Sequence, residues 1–262
     1  MNMLTLIGQA RNKIILLFVI ININCIKAQQ VTVELLNQNV VYKNDDGYHP
    51  VSIRYKLLNT SSDYVYLILG KKSFGVFGNP DEYIFDKEGA EIPKDQMIFN
   101  PRLLLFQSKN AESPLKLTNF KSVPQFTPDE FNKRSQQELR IKNDSTEAVK
   151  KYKDLYFRSQ PLNWVVRAKY INDNIVFIKP GESVIVSTDI DFALYDYNPY
   201  FENGVGYALK NDVYRMMIKV HNDPLLIREY LDERNTTKIR NFKAQPLKED
   251  CYSGKINLKV EK

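Results

Sequence analysis

"SVIVSTDIDF", residues 183–192, is the stretch on which the fold reading turns. Val184, Val186, Ile190 and Phe192 fall on one side of an extended chain, and Ser183, Ser187, Asp189 and Asp191 on the other. Successive side chains of a strand point to opposite faces, so this spacing predicts a strand with one face on a core and one in water. "VTVELL" (31–36), "SIRYKLLN" (52–59), "VYRMMIKVH" (213–221) and "KINLKVE" (255–261) repeat the alternation. "YVYLILG" (64–70) is apolar on both faces, as a covered central strand is. "YIFDKEGAEI" (83–92) reads as strand, turn and strand, and "WVVRAKYI" (164–171) as a further alternating strand. "KPGE" (179–182) has Pro and Gly at the centre of a type II turn, which splays flanking strands in a tight hairpin. That turn is expected to pass the chain from one sheet to another.

One segment departs from the pattern. In "TPDEFNKRSQQELRIKNDSTEAVKKYKDLYF" (127–157), Thr127, Pro128 and Glu130 form a helix-start signature, and Asp144 with Glu147 repeats it. Two helices are expected, about 128–141 and 145–157, in an insertion at about 126–160. Val149, Tyr152 and Tyr156 supply the docking face. "DPLLIREYLDER" (223–234) suits one short helix after Pro224.

Upstream lies "RNKIILLFVIININCIKAQQ", residues 11–30. Arg11 and Lys13 precede an apolar run, Ile14 to Ile21, too short for a spanning helix of about 20 residues. Ala28 is the small residue of a cleavage site, with Ile26 two positions before it, so residues 1–28 read as a signal peptide and Gln29 as the mature start. The protein is then exported, to the periplasm or the cell exterior. A membrane role arises only if Cys25 is lipidated, and Asn24 before it is not the small residue a lipoprotein site wants. Without residues 1–28 the formal charge falls from +6 to +3, since Arg11, Lys13 and Lys27 are lost and no acid is. No dense Lys/Arg stripe remains, which argues against nucleic acid. Residues 29–262 are long enough for a single domain.

Many short strands, an inserted helical pair and export together imply a mainly β protein, an antiparallel β-sandwich. The order "PGES", an aromatic loop, "VYRMMIKV" and "YSGKINLKV" resembles immunoglobulin-like domains of secreted bacterial proteins. A looser likeness is to proteinase-inhibitor domains. The resemblance covers about 31–125 and 163–262 and implies an immunoglobulin-like sandwich.

Chemistry-bearing motifs are sparse. His49 and His221 lack zinc-ligand spacing, so no metal or cofactor is expected. Cys251 reads as an incidental thiol near the last strand. Ser113 to Lys116 matches S-x-x-K without its partner motifs. Gly204-Val205-Gly206 lacks a nucleotide-binding context. Asn59, Asn143 and Asn235 begin chance sequon matches in an Asn-rich chain. Asp189, Asp191, Asp196, Glu202 and Asp212 offer a calcium or glycosidase reading, with a solvated strand face and long loop as the plainer one. The loop after Phe192 carries Tyr195, Tyr197, Tyr200 and Phe201, ring types that suit protein, peptide or glycan contacts, with Tyr207 beyond them. The reading is a non-enzymatic binding or structural module with those four residues as ligand contacts. A hydrolase with an unconventional carboxylate site and an inhibitor-like accessory protein are its alternatives.

Overall fold

The computed structural model describes residues 29–45, 49–70, 74–76, 83–85, 91–93, 101–108, 110–121, 128–193, 196–198 and 203–261. Strands and helices are both prominent in it. None of the described helices is long and apolar enough to cross a membrane.

Period-two sequence becomes sheet along most of the chain, where one face has a core to meet. Strands β1 (Val31–Leu35), β3 (Val51–Asn59) and β11 (Ser183–Ile190) form one antiparallel sheet with β3 in the middle. A larger sheet has the order β2 (Asn39–Lys43), β17 (Ile256–Glu261), β14 (Val213–Val220), β8 (Arg102–Phe106), β5 (Gly75–Val76). Strand β16 (Cys251–Tyr252) also pairs with β14. The expected antiparallel arrangement is only partial, because β2 runs parallel to β17 and β5 parallel to β8. Val31, Ile53, Tyr55, Leu57 and Val186 of the first sheet share one buried cluster with Tyr42, Leu105, Met216, Ile218 and Leu258 of the second.

A third sheet is the wall between two cores. Its central strand is β4 (Val65–Ile68), flanked by β10 (Ile175–Ile178) and β15 (Gln245–Pro246). Val65 and Leu67 enter the cluster just described, while Tyr66 and Ile68 enter a second one. That is why β4 is apolar on both faces. The Lys179–Glu182 turn follows β10 and leads to β11 in another sheet, as expected. Its Glu182 N–H donates to Lys179 O at 3.0 Å, and Gly181 has φ +73°, which only glycine adopts without strain. The smaller pairings are β6 (Tyr83–Phe85) with β7 (Glu91–Pro93), and β9 (Thr118–Lys121) with β13 (Asn203–Gly206) and β12 (Asp196–Asn198).

The four described helices lie on the outer side of that wall. Helix α1 (Pro128–Tyr156) is one rod of 29 residues, about 43 Å long, and not the two helices expected. No Gly or Pro interrupts Asn143-Asp144-Ser145, and each of these residues costs only a few tenths of a kcal/mol in a helix interior, so the rod continues. Val149 and Tyr152 are buried at its C-terminal end and Tyr156 is half-buried, the face the sequence marks out.

Helix α2 (Leu162–Asp173) replaces the strand expected at 164–171. Its buried residues are Trp164, Val165, Ala168, Ile171 and Asn172, which is helical spacing. Val166 is exposed and Tyr170 half-buried, so the supposed strand face is divided. Helix α3 (Pro224–Tyr230) begins where expected, with Asp223 accepting from Leu225 N and Leu226 N. Helix α4 (Glu233–Phe242) was not anticipated. Asp232 caps it by accepting from Asn235 N, and Lys243 ends it in the left-handed conformation.

Candidate functional site

Of the tyrosine loop, Tyr195, Tyr200 and Phe201 lie outside the described residues, and Tyr197 stands in β12 opposite Gly204. Tyr207 is buried, with its ring 6.4 Å from Phe192, and caps the end of the sheet core. Gly206 is set by a close approach: a Cβ there would lie 1.8 Å from Ala193 O, so the second glycine of the Gly-x-Gly fragment has a packing cause.

Asp191 corrects the strand reading, since it is 4% exposed and points inward. Strand β11 ends at Ile190, which frees Asp191 from the alternation. Its carboxylate accepts from Tyr42 Oη at 2.7 Å, His49 N at 2.7 Å and Ala193 N at 3.0 Å. Burial, and then this bond to Asp191, push the Tyr42 hydroxyl above its ordinary range. The group ties three segments together. Asp189 is exposed on β11, Asp212 accepts from Val213 N, and Glu202 lies outside the described residues. Asp196 stands in β12. Among the described residues no three His, Cys, Asp or Glu side chains converge as metal ligands.

Both histidines sit against aspartates. His49 Nε2 is 2.5 Å from Asp45 Oδ1, and His221 Nδ1 is 2.5 Å from Asp250 Oδ1. Lys219 joins Asp250 at 2.7 Å. Burial alone would raise the Asp250 carboxyl, but the bonds from Lys219 and His221 outweigh it and hold it low. The neighbouring Cys251 faces the other way, into the sheet core, and is fully buried. Burial pushes its thiol up, away from thiolate chemistry. Ser113 and Lys116 lie in the irregular link between β8 and β9, not on a helix. Asn59 is fully buried and its amide is saturated by Asp63 O, Ile178 O and two bonds from Ser61.

Among the described residues, a site with both shape and free polar atoms lies in the helical layer. A cleft of about 310 Å³ opens between the end of α2, the start of β10 and the first turns of α4. Asn172, Asn235, Arg234 and Lys238 supply its polar groups, with Asp173 beside them, and Ile175 and Phe177 its apolar wall. A buried network fixes it from below. Asn172 donates to Ala168 O and Tyr230 O at 2.7 Å each, and its Oδ1 accepts from Asp232 N at 2.9 Å and Asn235 Nδ2 at 3.0 Å. Asp232 takes Asn235 N on one oxygen, and Tyr152 Oη with Arg234 Nε and Nη2 on the other. Burial, then the charge of Asp232 and its hydrogen bond, raise the Tyr152 hydroxyl.

None of these residues is a binding-site candidate from the sequence. "DERNTTK" (232–238) did carry a signal: an Asp three residues before Asn235, and two cations, Arg234 and Lys238, one helical turn apart. The same letters spell a sequon, and Asn235 is in fact 4% exposed with its amide bonded to Asn172. The chain matches no protein-family profile, no curated protein and no solved structure.

Proposed function

We propose that this chain is an exported, non-enzymatic binding module, an immunoglobulin-like sandwich with a helical layer, whose ligand seat is the α2–β10–α4 cleft. The observation that carries the reading is the built floor of the cleft. Asn172, Asp232 and Asn235 are each at most 5% exposed and bonded to one another, and Arg234 is anchored on Asp232, so these groups are held in place before a ligand arrives. Pre-organisation of this kind reduces the ordering cost of binding. Export rests on the order of basic, apolar and small residues in 11–28.

A small-molecule and peptide library screened by backbone amide NMR tests the seat. Hits are expected to shift Asn172, Asn235 and Lys238. Hits that shift only residues 196–206 would instead make the tyrosine loop the seat.

A further inference from the structure

Helix α4 lines the cleft with Arg234, Asn235 and Lys238. Arg234, Lys238 and Phe242 recur every four residues, so they form a stripe about 12 Å long. Asn235 borders it on the buried side.

Each group on this stripe has a defined unused capacity. Arg234 spends Nε and Nη2 on Asp232, at 3.0 and 2.7 Å, and its guanidinium carbon lies 5.1 Å from the Tyr156 ring centre. Its Nη1 has no partner among the described residues. The cation is thereby oriented, with one donor edge left over. Lys238 is exposed and makes no ion pair among the described residues. Asn235 gives both amide donations to Asn172, so its Oδ1 remains as an acceptor lining the cleft. Asp173 is already paired with Lys169. Phe177 packs at 5.7 Å on Phe242, which stacks at 5.0 Å on Tyr64 and is 43% exposed, so an aromatic ridge leads out of the cleft.

Two cationic donors beside one neutral acceptor discriminate between anions. A phosphomonoester dianion offers acceptor oxygens alone, and one of them would face Asn235 Oδ1 lone pair to lone pair. A carboxylate with an adjacent N–H satisfies all three groups. The apolar wall of Ile175 and Phe177 then suits a side chain on the carbon between them. Resting on the cleft as ligand seat, we infer that it binds the carboxylate end of an apolar or aromatic amino acid or peptide. The carboxylate sits on Arg234 Nη1 and Lys238 Nζ, the N–H on Asn235 Oδ1, and the side chain on Phe177.

Titration calorimetry and amide NMR on the exported chain test this with four probes: N-acetyl-L-phenylalanine, its carboxamide, L-phenylalanine and phenyl phosphate. The N-acetyl acid is expected to shift Asn235 and Lys238, and the carboxamide to bind at least about tenfold more weakly, as loss of a charge-assisted hydrogen bond implies. Lys238→Gln, at an exposed position with an unchanged melting temperature expected, should weaken the acid by a similar factor. Tighter binding of the N-acetyl acid identifies a peptide C-terminus as the source, and tighter binding of L-phenylalanine a free amino acid. Equal binding of acid and carboxamide, indifference to Lys238→Gln, or equal shifts by phenyl phosphate would overturn the inference. So would silence from all four probes. If other library compounds still shift the cleft in that case, the binding-module reading stands and only the ligand class falls.

Discussion

The sheet core and the helical layer are built on different terms. The sheet core is aliphatic and aromatic almost throughout, with Ile53, Leu57, Leu105, Ile218 and Phe192 fully buried. Its strands pair by backbone, and its stability comes from apolar area removed from water. The helical layer also has an apolar cluster, of Tyr66, Val149, Trp164, Val165 and Tyr230. Beneath it runs a polar knot that ties every helix to another. Tyr152 of α1 bonds Asp232, Asn172 of α2 bonds Tyr230 O of α3, and Asn235 of α4 bonds Asn172. Apolar packing tolerates small shifts, whereas a hydrogen-bonded knot has one geometry. A cleft needing fixed polar atoms therefore sits over the knot rather than over the sheets.

The largest expected effect lies on the sheet side. Phe192 is fully buried, with its ring 5.2 Å from Tyr42 and 6.4 Å from Tyr207. Phe192→Ala should cost about 3–5 kcal/mol in urea unfolding, as large-to-small core changes do, and leave the unfolding cooperative. A cost under about 1 kcal/mol would mean that this end of the sheets is loosely packed, and the contrast with the helices would fail.

Asp232→Ala should cost less, about 2–3 kcal/mol, because it removes a helix cap and leaves Tyr152 Oη and Asn235 N without their acceptor. Arg234 is half-exposed and regains water, which limits the loss. Its location matters more than its size. Amide exchange should rise across α4 and the end of α2 while β3 and β11 stay protected. An equal rise in β11 would show that the two layers open as one unit.

The same contrast explains what the sequence disclosed. Residues 31–35, 51–59, 213–220 and 256–261 were legible because a single buried face writes itself as alternation. Residues 65–68 were legible as a covered strand, since a wall between two cores must be apolar on both sides. The knot was not, because Asn172 and Asn235 stand 63 positions apart and Asn and Asp at single positions read as turns or sequons. Asp191 misled for a related reason: it continues the written alternation one residue past the end of its strand. The cleft inherits that opacity, as its floor is made wholly of such residues.

The smallest expected effect separates helix from strand at 164–171, where the sequence permits both. Trp164, Val166, Ala168 and Tyr170 alternate as a strand face would, yet Trp164, Val165, Ala168, Ile171 and Asn172 are the ones buried. Aromatic packing decides between the two: the Trp164 ring lies 4.8 Å from Tyr230 and 4.9 Å from Phe157, contacts that helical spacing delivers together with burial of Val165 and Ala168. On a strand, positions 166 and 168 would share one fate. On α2, Val166 is 51% exposed and Ala168 fully buried. Val166→Lys should therefore change stability by no more than about 0.5 kcal/mol, as exposed substitutions do. Within that range a slight gain is expected, since Lys is the better helix former. A thermal unfolding midpoint lowered by many degrees in Val166→Lys would put Val166 in a core and restore the strand.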